Sequence, residues 1–123
     1  ASDVYKRQIE FGNAVPIDGY GPGFFRVAGT AHEAPLLVTK KGVFSWSGYD
    51  EIDGLVALAD QIDVLFIGTG DEITHIPKEF CAALEDAGVG VEVMSSSSAC
   101  RTYNVLLSED RRVAVALLPI KGN

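Results

Sequence analysis

The sequence predicts an α/β fold: a single three-layer domain in which helices cover a mixed central β-sheet. Three strand-like segments predict it. "DVLFIG" (63–68) is a continuous apolar run, as expected of a strand that is buried on both faces. "GVEVM" (90–94) and "RRVAVALLP" (111–119) follow it, and a helical pattern precedes each of them. This alternation is typical of parallel strands joined by right-handed crossovers in a layered α/β domain.

The N-terminal part is predicted to begin with a tail, because "ASDVYKRQ" (1–8) has no clear periodicity. Residues 9–123 are assigned to one domain, because a chain of 123 residues is within the usual size of a single domain. Residues 12–25 are rich in Gly and Pro and therefore predict turns. A short strand pattern, "FFRVAG" (24–29), comes next.

"APLLVTKKGVFSW" (34–46) predicts a β-hairpin. Its two β-rich runs flank Lys40, Lys41 and Gly42, and glycine can take the positive φ that a tight turn requires. The hairpin adds antiparallel strands to the N-terminal side of the fold, so the sheet is expected to be mixed.

Two helices are predicted between the hairpin and the last strands. "YDEIDGLVALADQI" (49–62) has apolar residues at helical spacing, so one of its faces packs inward. "IPKEFCAALEDAG" (76–88) carries Pro77 near its start and Gly88 just past its end, where these residues are favoured.

A third helix is predicted after four consecutive serines in "MSSSSACRTYNVLLSED" (94–110). On a helix from Ser98 to Ser108, the apolar positions share one face: Ala99, Cys100, Tyr103, Leu106 and Leu107. Cys100 is therefore expected to be an inert core thiol, and the same holds for Cys81 on the preceding helix.

The start of this helix allows two interpretations. One of Ser95, Ser96 and Ser97 is sufficient to cap the free N–H groups of the first turn. Alternatively, these serines and Arg101 form an anion-binding site, because N–H groups, hydroxyls and the helix dipole converge there. Capping is favoured, since every helix start offers this geometry. A serine nucleophile is disfavoured because the pattern G-x-S-x-G is absent and activation requires a base.

A glycine-rich turn after the first buried strand suggests a nucleotide loop, but its details argue against one. Gly68 and Gly70 match the first two glycines of G-x-G-x-x-G, whereas Ile73 occupies the third position. Asp71 and Glu72 would repel a pyrophosphate. No cofactor and no catalytic residue are therefore predicted.

Composition excludes further classes of function. The net charge of −7 argues against general binding of nucleic acid or of anionic lipid, because both require a basic face. The longest apolar runs are far shorter than the roughly 20 residues of a transmembrane helix. Two cysteines form neither a disulfide framework nor a metal-ligand cluster. No metal site is predicted, and a reducing compartment such as the bacterial cytoplasm is the simplest location.

From about Ile17 to Leu118 the chain resembles the Mth938-like domain family. The segments "IDGYGPGFFRV", "LFIGTG" and "VEVMSSSSACRTYNVLLSEDRRVAVALL" carry the resemblance, together with Trp46. Ser95 and Ser96 stand where the family usually has an acidic residue and a threonine, and Asp110 stands where it usually has a glycine. The matching motif residues are Gly68, Gly70, Cys100, Arg101, Thr102, Tyr103, Asn104, Glu109 and Arg111.

The resemblance implies a three-layer α/β domain with a mixed sheet. It also implies a non-catalytic assembly or scaffold role, because mitochondrial members of the family are assembly factors for respiratory complex I that act by contact with a partner. A protein partner, such as a subunit of a respiratory complex, is then expected, with a mitochondrial location in a eukaryote. The alternative function is a small-anion binder or an enzyme that uses the serine-rich helix start.

Two further expectations concern side chains on the surface. Tyr20, Trp46 and Tyr49 are candidates for a partner-binding face, since aromatic residues are enriched at interfaces. Two of them must be exposed and adjacent for this to hold; the alternative is that they belong to the core. Arg101 or Arg111 is expected to be held by a carboxylate or by backbone carbonyls, because the guanidinium group offers five donors.

Overall fold

The computed structural model describes residues 15–121, so the tail predicted at 1–8 lies outside the described residues. In this part of the chain, eight strands form two β-sheets that are accompanied by three helices. The predicted α/β class with a mixed central sheet is confirmed.

The first sheet is small and antiparallel. Its strands lie in the order β1 (Ile17–Gly21), β2 (Phe24–Val27) and β3 (Thr30–Glu33). Ala28 and Gly29 join β2 to β3 with φ angles of 54° and 81°. Positive φ at both positions is the geometry of two-residue hairpins whose twist matches that of the strands.

The sequence does not predict β1 or β3. The prediction of turns over 12–25 is confirmed at Pro22 and Gly23, which join β1 to β2, and is wrong for Ile17–Gly21, which form β1. Ile17 is the only buried residue of β1, and β3 has no buried residue. Strands with so little buried apolar surface lack the alternation that identifies a strand from sequence. Their pairing with β2, one on each side, provides the stabilisation that the local pattern does not reveal.

The second sheet has five strands in the order β5-β4-β8-β6-β7. The predicted hairpin consists of β4 (Leu36–Thr39) and β5 (Gly42–Ser45), and β4 is antiparallel to β8 (Val113–Leu117). On the other side, β6 (Val64–Gly68) is parallel to both β8 and β7 (Gly90–Met94). The three C-terminal strands therefore lie in one sheet, as predicted.

The helices of the described residues are α1 (Asp53–Val56), α2 (Lys78–Asp86) and α3 (Ser96–Ser108). The predictions of α2 and α3 are confirmed. The helix predicted over 49–62 is wrong in length, because only α1 is α-helical and tight turns follow it. Most hydrogen bonds there span three residues, such as the 3.0 Å bond from the Leu58 amide to the Leu55 carbonyl, as in a 3₁₀ turn.

The five-stranded sheet is the middle layer, and β8 lies at its centre with all five residues buried. Its larger side chains face the layer formed by α3 and the small sheet: Val113, Val115 and Leu117. Its alanines, Ala114 and Ala116, face the layer that contains α1 and α2. Alternate residues of a strand point to opposite faces, so this one strand contributes to both cores.

Candidate functional site at the carboxyl ends of the parallel strands

The glycine-rich turn and the serine-led helix meet at the carboxyl ends of β6, β7 and β8. Gly68 pairs with Met94 on one side and with Leu117 on the other, and α3 begins two residues after Met94. In open α/β sheets, ligands bind in the crevice at this end of the strands. It is therefore the first place where a reaction site or anion site is expected.

Ser96 occupies this crevice and is fully buried, with 0% of its surface exposed. Its Oγ accepts a 2.8 Å hydrogen bond from the Gly70 amide and donates a 2.8 Å bond to the Leu118 carbonyl. The Ser96 amide donates a 2.8 Å bond to the Gly70 carbonyl. The hydroxyl thus connects the turn after β6, the start of α3 and the end of β8. This burial corrects the prediction of Ser96 as an anion ligand, because its hydroxyl and amide are already bonded inside the fold.

The two glycines make this close approach possible. A Cβ atom at Gly68 would lie 2.7 Å from the Cα atom of Ser96 and 2.9 Å from a methyl carbon of Leu117. Gly70 has a φ of 104°, in the region that side chains disfavour. The Gly70 amide donates to Ser96, and the Thr69 amide donates to the Met94 carbonyl at 2.9 Å. These amides are therefore bonded within the protein and are not free to hold a phosphate.

The other predicted anion ligands lie at the rim. Ser95 is the N-cap, since its Oγ accepts a 3.3 Å bond from the Ser98 amide. Its Oγ also lies 3.5 Å from that of Ser97, and both serines are half-buried. Arg101 is exposed and donates a 3.2 Å bond to the Ser98 hydroxyl. Anion binding by Ser95, Ser97 and Arg101 stays a prediction, and Ser96 cannot join them without breaking its internal bonds.

The expectation that a carboxylate or carbonyls hold Arg101 or Arg111 is wrong for the described residues. Arg101 bonds to a hydroxyl, and Arg111 is exposed at the turn before β8. Between residues 15 and 121, the salt bridges join Arg26 to Asp18 and Arg112 to Asp63.

Asn104, a residue of the family motif, joins α3 to the small sheet. Its Oδ1 accepts a 2.9 Å bond from the Ile17 amide, and its Nδ2 donates a 2.8 Å bond to the Ile17 carbonyl. The side chain pairs with the backbone as a neighbouring strand would. Sequence reasoning missed this contact because the two residues are 87 positions apart.

The rest of the motif also contributes packing. Cys100 and Tyr103 are buried in the core beneath the small sheet. Thr102, which lies between them in the sequence, is half-buried. Glu109 ends the helix, and Asp110 has a φ of 63°, which explains why the resembled family usually has a glycine there. The Arg111 amide donates to the Leu106 carbonyl at 3.0 Å and closes the C-terminal motif. The motif therefore ends α3 and attaches it to both sheets.

The aromatic candidates do not form one exposed face. Trp46 is only 2% exposed, so of the two alternatives left open it belongs to the core and not to a partner-binding face. Its ring packs edge-on against Tyr49 at 5.8 Å, and both rings contact Phe80 of α2. Tyr49 is half-buried in the same cluster, whereas Tyr20 is 44% exposed on the small sheet. Two exposed and adjacent side chains are therefore not found among these three.

The two thiols differ in exposure. Cys100 is 2% exposed, and burial raises the pKa of its thiol to about 12. Cys81 is only half-buried; burial and, secondarily, the Glu85 carboxylate raise the pKa of its thiol. The thiolate is the reactive form, so neither environment activates the sulfur at neutral pH.

We expect native Cys81→Ser protein to resist a thiol reagent at neutral pH, because only the buried Cys100 remains. In guanidinium chloride the same protein should release one equivalent of reagent chromophore per chain. Native Cys100→Ser protein is the matched control, and its half-buried Cys81 should react slowly. Rapid labelling of the native Cys81→Ser protein would contradict the structural role of Cys100.

Within residues 15–121, no three His, Cys, Asp or Glu side chains lie close enough together to hold a metal ion. Among the helices in that range, none has the length and apolar character needed to cross a bilayer.

Comparison with known proteins identifies the family. A family profile described as "Protein of unknown function (DUF498/DUF598)" matches residues 17–118. An uncharacterised protein of Rhodobacter capsulatus is 52% identical over 116 residues, which cover 94% of each chain. "NADH dehydrogenase [ubiquinone] 1 alpha subcomplex assembly factor 3" of Danio rerio is 30% identical over 119 residues, or 91% of this chain and 68% of that protein. The same factor of Xenopus tropicalis is 29% identical, and the match covers 84% of this chain and 60% of that protein.

Solved structures agree with the sequence relatives. A Bartonella henselae protein described as an outer membrane protein superposes with a TM-score of 0.79 at 36% identity, covering 87% of this chain and 96% of that one. A Bordetella pertussis protein described as a Mth938-like domain gives a TM-score of 0.75 at 28% identity, covering 90% and 89%. The chain therefore belongs to the DUF498/DUF598 family of proteins of unknown function and has the Mth938-like fold.

Proposed function

We propose that this protein is a non-catalytic assembly factor that supports the assembly of respiratory complex I by binding a protein partner. The observation that carries the proposal is that Ser96 fills the crevice where an α/β protein would bind its substrate. Its hydroxyl is bonded there to the Gly70 amide and the Leu118 carbonyl. Relatives named as complex I assembly factor 3 match 84% to 94% of this chain in several vertebrates.

The chemistry of the crevice supports a role without catalysis. A covalent mechanism needs an activated nucleophile with a base within hydrogen-bond reach and space for a substrate. The Ser96 hydroxyl donates a hydrogen bond to the Leu118 carbonyl, and the Cys100 thiol is buried in the core. An assembly factor needs only a stable surface, and the motif from Cys100 to Asn104 supplies that stability. A net charge of −7 favours a protein partner over a nucleic acid.

The location follows from the same role. In a bacterium the protein would act in the cytoplasm, and in a eukaryote it would act in the mitochondrion. The relative from Homo sapiens is named as an assembly factor of NADH dehydrogenase. The protein's partners would be subunits or intermediates of that complex.

Deletion of the gene in a host that contains complex I tests the proposal. We expect a several-fold loss of assembled complex on native gels and of inhibitor-sensitive NADH oxidation in membranes, with succinate oxidation unchanged as the control. Re-expression of the chain should restore both. The Ser97→Ala/Arg101→Ala variant should restore them equally well, because the rim of the helix start has no chemical role in this proposal. Normal complex I in the deletion strain would refute it.

A further inference from the structure

A second feature lies at the other end of β8 from Ser96. There Lys40, Lys41 and Arg112 line a cavity of about 170 Å³, which we call the basic cavity. Its apolar lining includes Leu58, Ile62 and Val113. Neither the family motif nor the crevice of Ser96 contributes to it.

The fold fixes the backbone that carries Lys40 and Lys41, and it holds the side chain of Arg112. The Lys41 amide donates a 3.0 Å bond to Thr39 Oγ1, which fixes the tip of the β4–β5 hairpin. Since β4 is antiparallel to β8, this tip lies beside the start of β8, where Arg112 precedes the first strand residue. Arg112 Nη2 donates a 3.1 Å bond to the Asp60 carbonyl, and its Nε lies 3.5 Å from Asp63 Oδ1. The Arg112 guanidinium is therefore held directly, whereas Lys40 and Lys41 extend from a hairpin whose backbone is fixed.

The charge around the basic cavity is opposite to that of the whole protein. The chain has 17 Asp and Glu residues and 10 Lys and Arg residues, and three of these basic residues line this cavity. Asp63 forms a salt bridge with Arg112, and Asp60, three residues earlier in the chain, accepts a bond from Arg112 through its backbone carbonyl. In the described part of the chain, neither Lys40 nor Lys41 has a carboxylate partner. Two of the three positive charges are thus left for a ligand.

The size and lining of the basic cavity limit what fits. Ile62 and Val113 are buried, and Leu58 is half-buried, so the base of the cavity is apolar. Pockets for drug-sized ligands have volumes of roughly 300–1,000 Å³, so a cavity of this size suits a single side chain better than a whole small molecule.

We propose that the basic cavity binds an acidic segment of the protein partner. One apolar side chain of that segment would contact Leu58, Ile62 and Val113, and flanking carboxylates would pair with Lys40 and Lys41. This inference rests on the proposed function and gives the partner a chemical character. Charge complementarity of this kind increases the rate and specificity of association.

The same charges disfavour an anionic membrane or a nucleic acid as the occupant. Both present extended arrays of negative charge, which would face the acidic remainder of the surface as well as the three cations. Unpaired charges interact over about 8–10 Å at ordinary ionic strength. A short acidic segment can contact the basic cavity without approaching the acidic remainder of the surface, so it avoids this repulsion.

Selection of random displayed peptides against the full chain tests the proposal without knowledge of the partner. We expect the selected peptides to carry Asp or Glu on both sides of one Leu, Ile or Phe. A synthetic peptide of the consensus sequence is then measured by fluorescence anisotropy. The Lys40→Glu/Lys41→Glu variant should bind it about tenfold or more weakly, because two attractions become repulsions.

The matched pair of variants is Lys41→Glu and Lys78→Glu, which change the net charge equally. Lys78 is exposed at the start of α2 and does not line the basic cavity. Lys41→Glu should weaken peptide binding several-fold and Lys78→Glu should leave it unchanged, with equal melting temperatures. Selected peptides without acidic enrichment, or equal binding by both variants, would overturn the proposal. Binding to phosphatidylserine vesicles but not to acidic peptides would also overturn it. Because complex I plays no part in these measurements, their failure is distinguishable from failure of the assembly role.

Discussion

Gly68→Ala is expected to destabilise the protein by about 3 kcal/mol, which is large for the addition of one methyl group. The new Cβ would lie 2.7 Å from Ser96 Cα, 2.8 Å from Ser96 Oγ and 2.9 Å from a Leu117 methyl carbon. Two of these atoms belong to Ser96, which hydrogen bonds hold on two sides, so the start of α3 cannot move away without breaking them. Chemical denaturation followed by circular dichroism measures the free energy of unfolding.

Gly54→Ala is the matched control for Gly68→Ala. Gly54 is exposed in α1, and the nearest atom to its added Cβ is a Glu51 carboxylate oxygen at 3.7 Å. Replacement of a helical glycine by alanine in open space is expected to stabilise by up to about 1 kcal/mol. Equal effects of the two substitutions would mean that the contact between Gly68 and Ser96 is not tight in solution.

Ser96→Ala is expected to destabilise the protein by about 2–4 kcal/mol, since it removes two hydrogen bonds and leaves a buried donor and a part-buried acceptor without their partner. The donor is the Gly70 amide and the acceptor is the Leu118 carbonyl, each 2.8 Å from the hydroxyl oxygen. The substitution creates almost no cavity, so the loss in the free energy of unfolding reports the two bonds.

Ser97→Ala is the control for this prediction. Ser97 is the next residue in the chain, and its hydroxyl makes only a 3.5 Å contact with that of Ser95. We expect a change below about 0.5 kcal/mol, as for most surface substitutions. If Ser97→Ala were as destabilising as Ser96→Ala, the effect would arise from the capped first turn as a whole and not from the connection made by Ser96.

The parts of the fold that could be predicted are those in which local pattern and burial agree. The strands β6 and β8 are continuous apolar runs because both of their faces are buried. For α3, the apolar stripe predicted from sequence contains the apolar residues that the structure buries, including Cys100 and Tyr103. Tertiary contacts strengthen these elements but do not change their type.

The outer strands of the small sheet and the aromatic cluster could not be predicted, because their stability comes from distant residues, whereas β2 was predicted from its own pattern. The strand β1 contains glycines and one buried residue, and its pairing with β2 and its bonds to Asn104 hold it in place. Trp46 follows the last residue of the edge strand β5, where the alternation of faces no longer indicates burial. It is buried because Phe80 of α2 and Tyr49 pack against it.

By itself, the sequence determined the α/β class, the order of its main strands and helices, the turn at the hairpin and the placement of a helix start among four serines. These depend on periodicity and on residues with special backbone preferences, which are properties of short segments. Only the tertiary structure decided which serine is the cap, which is buried and which lies half-buried at the rim. Ser95, Ser96 and Ser97 are chemically identical, and their roles differ because the turn after β6 and the end of β8 reach Ser96 alone.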